Sequence, residues 1–574
     1  MKFTTTICAG FRRPMLARIA VVLLMLVPCV RAIAQPGLAP RETVTFAVTQ
    51  TTTVGQSVYV VGDLPELGGN DTSRAIKLSP GAYPLWRATV SLPAGRTYTY
   101  RFLVRSDGPT QQNGAATTVQ GPLVASTAQQ PRPTRSKAVW ITSAYAQPVL
   151  WWRAISPAAG SDFTPVTMTR TTVTGPARSG DRSGEGTFIA WGMHAAGEAF
   201  EFYVTDVAQP GSRTPTTGTY ATNLDGVFVQ DGQMFTYVPA WSVGGARRAY
   251  SPSSVPTVFS PQLNETRGYR VFLPRGYDQH TTRRYPVLYM HDGQNVFESG
   301  AFGSWNAAGT IASLQASGRM SEVLVVAIDN GPNRLRDYLP STDSLGGTGR
   351  GEAYLSFIRD TLKPIIDAQY RTKPDAFWTG LMGSSMGGVI SLQGVWDFTS
   401  TFTRGGLLSG AWQTCPNYLT RVRTTPVRAV RMWLDSGDSG TSADNFWLTL
   451  GLRDHFVEGS ASKYALSGEL QHMVGFGQQH NEAAWAARLP DALTHLYPAQ
   501  EEPSDLLRSV FGPHWDVTGD GVMGIEDLYA QSVQNVPGAG GTRSDADLGG
   551  TIDAADAALI ERAFRTGETA GMSR

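Results

Sequence analysis

Gly383-Ser384-Ser385-Met386-Gly387 constrains this chain more than any other stretch, because its small residues let a strand turn at once into a helix while the central serine oxygen stays accessible. The flanks agree. Residues 375–382 form a short apolar run rich in strand formers, and residues 389–396 read as a buried helix. Ser385 is therefore expected at the carboxyl end of a strand, inside a layered α/β unit. Gln479-His480-Asn481-Glu482 places a histidine 95 residues after Ser385. A serine and a later histidine in this context point to a hydrolase.

The rest of the chain divides by texture. From about residue 260, near-continuous apolar runs at Val287–Met290, Glu322–Ile328 and Val430–Leu434 alternate with helical spacing over Gly351–Tyr370 and Asn445–Phe456. That pattern predicts a parallel sheet covered on both faces, over 260–498. Residues 42 to about 105 alternate apolar and polar positions in short runs separated by turns, which predicts a small β-sandwich. Residues 106–137, rich in Pro, Gln, Thr and Ser, read as a loop or linker. A second sandwich is expected over 138–245, from runs at Val149–Arg153, Thr187–Trp191, Phe200–Val204 and Gly226–Val229. Its Trp151, Trp152 and Trp191 fit either a core or a ligand platform.

The first 34 residues read as a secretory signal: Arg12, Arg13 and Arg18 precede the apolar run Ile19–Val27, and Ala32-Ile33-Ala34 forms a cleavage site. A mature start near Gln35 and a secreted location, extracellular or periplasmic, follow. Pro28 before Cys29 is a poor lipoprotein signal. Only Cys415 then remains, so no intrachain disulfide framework is available. A net charge of +1 gives no electrostatic case for nucleic acid, or for a membrane once the signal is removed.

A serine hydroxyl is a weak nucleophile and needs a base, and His480, in a loop between a strand and a helix, is the best placed of eight histidines. His472 falls within the strand Glu469–Phe476, and His291 fits a shaping role. The group that orients the imidazole should follow the strand Val430–Leu434, where Asp435, Asp438 and Asp444 all qualify. Asp435 lies close to the strand end, and Asp444 has the position of a helix N-cap. Asp438 is the assignment, with Asp444 the alternative. One oxyanion donor is the Met386 N–H, next after the nucleophile, and the loop Asp292-Gly293-Gln294 is the expected source of the other.

Near the C-terminus, Asp516, Thr518, Asp520, the Val522 carbonyl and Asp527 match a twelve-residue calcium loop with glycine at position six. A second copy uses Asp545, Asp547, the Thr551 carbonyl, Asp553 and Asp556. Each precedes a helical run, so a Ca²⁺-binding, EF-hand-like tail is expected over 513–566. No cofactor for catalysis is expected.

Three resemblances extend these readings. Tyr269–Pro274, Tyr289–Asn295, Ala327–Gly331, Met382–Gly388 and Gly477–Trp485 resemble the esterase D-like α/β-hydrolases, which include feruloyl and acetyl-xylan esterases and siderophore esterases. This resemblance implies Gln294 as an oxyanion residue and an acyl-enzyme on Ser385. Gly55–Gly68, Ala75–Pro80 and Pro84–Gly95 resemble the starch-binding modules of carbohydrate-binding family 20, placed over 42–130. Asn70 stands where that family carries a tryptophan, and Trp86 alternates as a core residue, so the resemblance implies the fold more than the sugar contact. The duplicated tail resembles a type I dockerin, which implies a cohesin partner.

The expected architecture is therefore multidomain: all-β sandwiches, an α/β-hydrolase domain and a small helical dockerin-like tail. The expected function is that of a secreted serine carboxylesterase on acetyl or feruloyl esters linked to polysaccharide. Alternatives are a siderophore esterase, an acyltransferase, or a carbohydrate-binding scaffold with an inactive hydrolase domain.

Overall fold

The computed structural model describes residues 41–499 apart from 94–95, 107–115, 128–136, 155–161, 172–185, 192–199, 240–242, 458–463 and a few single positions. The expected signal (1–34) and calcium-loop tail (513–566, with Asp516, Thr518, Asp520, Val522, Asp527, Asp545, Asp547, Thr551, Asp553 and Asp556) lie outside the described residues.

The α/β unit is built on β1 (Glu265–Leu273), β2 (Val287–His291), β3 (Leu324–Ile328), β4 (Thr379–Ser384), β5 (Arg404–Leu408), β6 (Arg431–Gly437) and β7 (Leu470–Gly475). Their order across the sheet is β1-β3-β2-β4-β5-β6-β7, with Arg247–Arg248 and Thr257–Ser260 pairing on β1. β1 runs antiparallel to β3, and every later pair is parallel. Strands buried on both faces must be apolar at every position, and successive side chains go to opposite layers. In β2, Val287 and Tyr289 join one apolar cluster while Leu288 and Met290 join the other. The first cluster is covered by α2 (Gly351–Phe357), α3 (Met386–Asp397) and α4 (Phe446–Val457), the second by α1 (Ala307–Ala316) and α5 (Glu482–Leu496).

The N-terminal module has two sheets: Arg41–Thr49, Leu85–Pro93 and Ser79–Ala82 in one, and Ile76–Lys77, Gln56–Gly62, Thr97–Ser106 and Thr117–Ser126 in the other. Trp86 is 3% exposed, and its indole N–H donates to the Gln50 carbonyl at 2.8 Å, so it is a core residue. Asn70 sits in a turn at φ 66° with its backbone N–H on the Gly62 carbonyl. The strand Thr117–Ser126 corrects the expectation of a linker there. It is held by backbone pairing to Thr97–Ser106 with few buried side chains, so composition gave no sign of it.

The second sandwich pairs Thr164–Thr167, Pro148–Ala154, Phe200–Asp206 and Arg213–Thr214 in one sheet, with Thr169–Thr171, Gly186–Trp191, Ala138–Ser143, Gly226–Gln230 and Gln233–Phe235 in the other. Trp152 packs against the core between them. Trp151 lies parallel to its cross-strand neighbour Tyr203, with ring centroids 6.1 Å apart, and donates to Thr205 Oγ1.

This sandwich grips the α/β unit at the ends of strands remote from Ser385. Arg275, just after β1, donates to the Met234 carbonyl and to Gln233, and its guanidinium lies 3.9 Å from the Phe235 ring centre. The buried Glu322 carboxylate pairs with Arg275 at 3.3 Å and Arg283 at 3.1 Å. Removing one member of such a buried set strands the others without a counter-charge. Glu322→Ala is expected to lower unfolding stability by roughly 3–5 kcal/mol, read as a lower calorimetric transition for the α/β unit.

Candidate active site

Ser385 occupies φ 58°, ψ −121°, between the last residue of β4 and the first of α3. An L-residue rarely adopts that conformation, and it persists only where neighbours fix it on both sides. The Ser385 N–H donates to the Leu408 carbonyl at the end of β5, and its carbonyl accepts from Gly388 N–H and Ala411 N–H. Gly383 is needed for the turn, because a Cβ there would come 2.9 Å from the backbone of Gly387 and the His291 ring. Ser385 is half-buried, whereas its neighbours on either side are buried. Met386 opens α3, so its N–H has no helical carbonyl behind it.

The second loop of the site follows β2. Asp292 adopts φ 57°, and its carboxylate accepts two bonds from Arg334, at 2.6 and 2.8 Å, and one from Asn330 Nδ2 at 2.7 Å. These hold the turn Gly293–Asn295 against the sheet, where a Cβ on Gly293 would meet the Ala327 backbone at 2.7 Å. The same loop lies beside the start of α3, where a Cβ on Gly387 would come 3.6 Å from Asp292 Oδ2. Gln294 is half-buried in this turn, its side-chain oxygen facing Asn330 N–H at 3.4 Å. His291 is buried with Nδ1 2.9 Å from the Tyr354 hydroxyl, and burial foremost pushes its pKa down to about 4.

The acid is where sequence reasoning went wrong. His480 Nδ1 lies 2.5 Å from Asp444 Oδ1, not beside Asp438. Asp438 instead accepts the Gly477 N–H at 2.6 Å, which fastens the histidine loop to the end of β6. Its carboxyl pKa is raised, chiefly by burial, against the lowering effects of Gly477 N–H and Arg105. Asp444 is not a helix N-cap. It sits in a run of four left-handed residues, Ser442, Ala443, Asp444 and Asn445, with φ between 47° and 60°.

Each left-handed residue costs on the order of 1 kcal/mol. Hydrogen bonds to a carboxylate, worth about 1.5–3 kcal/mol each, offset that cost. Asp444 Oδ2 accepts Gly437 N–H at 2.5 Å and Ser409 Oγ–H at 2.6 Å. Arg488 stands 3.6 Å from the same oxygen and 3.1 Å from Asp435 Oδ1, and all three side chains are fully buried. Ser409 also accepts from Trp485 Nε1 and Arg488 Nη2. Trp485 places its ring edge-on to His480 at 5.1 Å. Thus Ser409 and Arg488 belong to the site although the sequence did not single them out; a buried arginine on the helix after His480 was the available sign.

His480 itself has a third of its side chain exposed (34%), while Asp444 has none. His472 lies within β7, away from this cluster. A cavity of about 450 Å³ lies at the flank of β7, bordered by Tyr59, Lys77, Trp433, His472 and His495.

An accessible serine at a strained elbow, a backbone donor beside it, and a half-exposed imidazole backed by a buried carboxylate form a set competent for acyl transfer. Comparison with known proteins agrees in class. Residues 260–496 match the family model described as "Putative esterase", and residues 41–121 match the one described as "Starch binding domain". Residues 260–496 are thus similar to esterases, and residues 41–121 to starch-binding domains. The chain is 44% identical over 80 residues to an alpha-amylase of Streptomyces violaceus, which takes in 13% of this chain and 14% of that protein. It is 27% identical over 152 residues to the uncharacterized protein YbbA of Bacillus subtilis, covering 25% of this chain and 57% of YbbA. The chain thus spans well under two thirds of either relative. Among solved structures, an IroE-like serine hydrolase from Shewanella oneidensis aligns at 24% identity over 48% of this chain and 91% of its own, with a TM-score of 0.37.

Two measurements check the geometry. Asp444→Ala is expected to lower kcat for an activated ester by roughly 10³–10⁴-fold, and Asp438→Ala by far less, in steady-state assays of both variants. For His291, the folded pKa near 4 lies below the ordinary 6.5, so the unfolded chain binds the extra proton between those values. Stability from this residue is present above pH 6.5 and is lost as pH falls towards 4, by about 3 kcal/mol in full. Urea titrations between pH 4 and 7 should show a shallower loss in His291→Gln than in the wild type.

Proposed function

We propose that the protein is an exported serine carboxylesterase that removes acyl groups, acetyl or feruloyl, from polysaccharide. The observation that carries this reading is the 2.5 Å hydrogen bond of His480 Nδ1 to the buried Asp444 carboxylate, which Ser409 ties to the strand end that holds the Ser385 elbow. In this mechanism His480 Nε2 takes the Ser385 proton as Oγ attacks the ester carbonyl, and Asp444 holds the ring with Nδ1 as the donor. Gly437 N–H and Ser409 Oγ–H on the far oxygen of Asp444 keep that carboxylate aimed at the ring during this step. The oxyanion is met by Met386 N–H and by Gln294, and the alcohol leaves with the proton from His480. Water then attacks the acyl-enzyme with His480 again as base, which returns Ser385 and releases the acid.

The starch-binding module supports a polymeric substrate over a small siderophore ester. Export rests on the arginine-led apolar run at the N-terminus, and a calcium-loaded tail docking to a cohesin remains part of the proposal on the duplicated acidic loops alone.

Wild-type protein is expected to release p-nitrophenol from short acyl esters, and ferulate from methyl ferulate, with a burst equal to the enzyme concentration. Ser385→Ala should fall to the background rate. Equal rates for both proteins on every ester would overturn the reading.

A further inference from the structure

The strand Gln56–Gly62 is buried at nearly every position. Val58, Val60 and Phe102 fill the core between the sheets, and Ser57, Tyr59, Val61 and Leu103 face the other way and are buried too. Val61 and Leu103 pack with Ala75 and Ala116 of the module itself. Tyr59 meets the catalytic domain through Arg105, beside the loop that bears His480.

Three contacts define the junction. The Arg105 guanidinium is sandwiched between Tyr59 of the module and Phe476, its carbon 4.2 Å from each ring centre. Phe476 follows β7 directly and precedes Gly477, whose N–H is bonded to Asp438, and His480 lies three residues further on. Lys77 stands over Phe446 and Trp447 at 5.6 and 5.3 Å, two and three residues after Asp444, and its carbonyl accepts from Arg453 of α4 at 2.5 Å. The backbone of the module also pairs with the segment leading into β7: Ser91 N–H to the Leu466 carbonyl at 2.7 Å, and Leu466 N–H to the Thr89 carbonyl at 3.0 Å. The strand that leads into the His480 loop is therefore held by the module at both ends, and the segment after the acid is held as well. The second sandwich makes its grip at the opposite ends of the strands, around Arg275 and Glu322.

We propose that the starch-binding module is a positioning part of the ester-cleaving site, fixing the Asp444 and His480 loops through Arg105 and Lys77 in addition to any binding of polymer. This deepens the reading given above and rests on it for its catalytic consequence. Its structural consequence stands separately.

The test uses the full chain with Arg105→Ala, Arg105→Lys and Phe476→Leu. In hydrogen exchange, Arg105→Ala is expected to speed exchange in peptides spanning 436–447 and 474–482 about tenfold, and to leave 379–397 unchanged. A cation over an aromatic ring contributes about 0.5–2 kcal/mol, so kcat for p-nitrophenyl acetate per titrated active site should fall roughly 2–30-fold with KM held within about twofold. Arg105→Lys should retain most of the rate, and the Arg105→Ala/Phe476→Leu double variant should be no slower than Arg105→Ala. Should Arg105→Ala fail to fold, Phe476→Leu reports the same contact from the catalytic side. Unchanged exchange, with kcat per site unchanged, would overturn the proposal and leave the module a tether. A wild type that cleaves no ester would instead overturn the functional reading, with the exchange data still deciding whether the module holds these loops.

Discussion

The carboxylate of Asp444 is where the demands of the site converge. It is fully buried, lies in a left-handed stretch that side chains resist, and yet must present one oxygen to His480 in a fixed direction. The other oxygen is saturated by Gly437 N–H and Ser409 Oγ–H, with Arg488 behind, so the strain and the burial are both answered by bonds to one atom. Ser409 in turn follows β5, whose Leu408 carbonyl holds the Ser385 N–H. The serine elbow and the acid are thus braced by adjoining residues of a single strand end, and a shift in one is felt in the other.

The elbow was legible in the sequence because its requirement is local: small residues in five positions, an apolar strand before and an apolar helix after. The β2, β3, β4 and β6 strands were legible for the same reason, as runs buried on both sides. The acid was not. Three aspartates, one near the end of β6 and two after it, lie within ten residues, and the choice among them depends on a backbone excursion through Ser442–Asn445 that no propensity anticipates. Asp438 has the shorter path to the histidine loop, and it does reach that loop, but through Gly477 N–H and not the imidazole. The strand Thr117–Ser126 escaped for a different reason: an edge strand with exposed side chains is defined by backbone pairing, which leaves no mark on composition.

The three described units meet in unequal ways. At the remote ends of the strands the second sandwich is joined through buried charge, with Glu322 answering Arg275 and Arg283. Such sets are sensitive to the loss of any member while adding little net stability over apolar packing. Near the reacting end the N-terminal module is joined through cations on aromatic rings, contacts that orient without demanding full desolvation, and ahead of β7 through two backbone hydrogen bonds with Leu466.

The contact of the N-terminal module with the loops of His480 and Asp444 also limits how this gene can be rearranged. Binding modules are usually thought of as exchangeable parts, moved between enzymes by recombination at their linkers. Here, exchange would take the Arg105 and Lys77 cations away from the partly exposed rings of Phe476 and Trp447, and would uncover Tyr59. A replacement module would have to bring a cation at the place of Arg105 as well as its own sugar-binding face, so inheritance of the two domains as a pair is built into their contact.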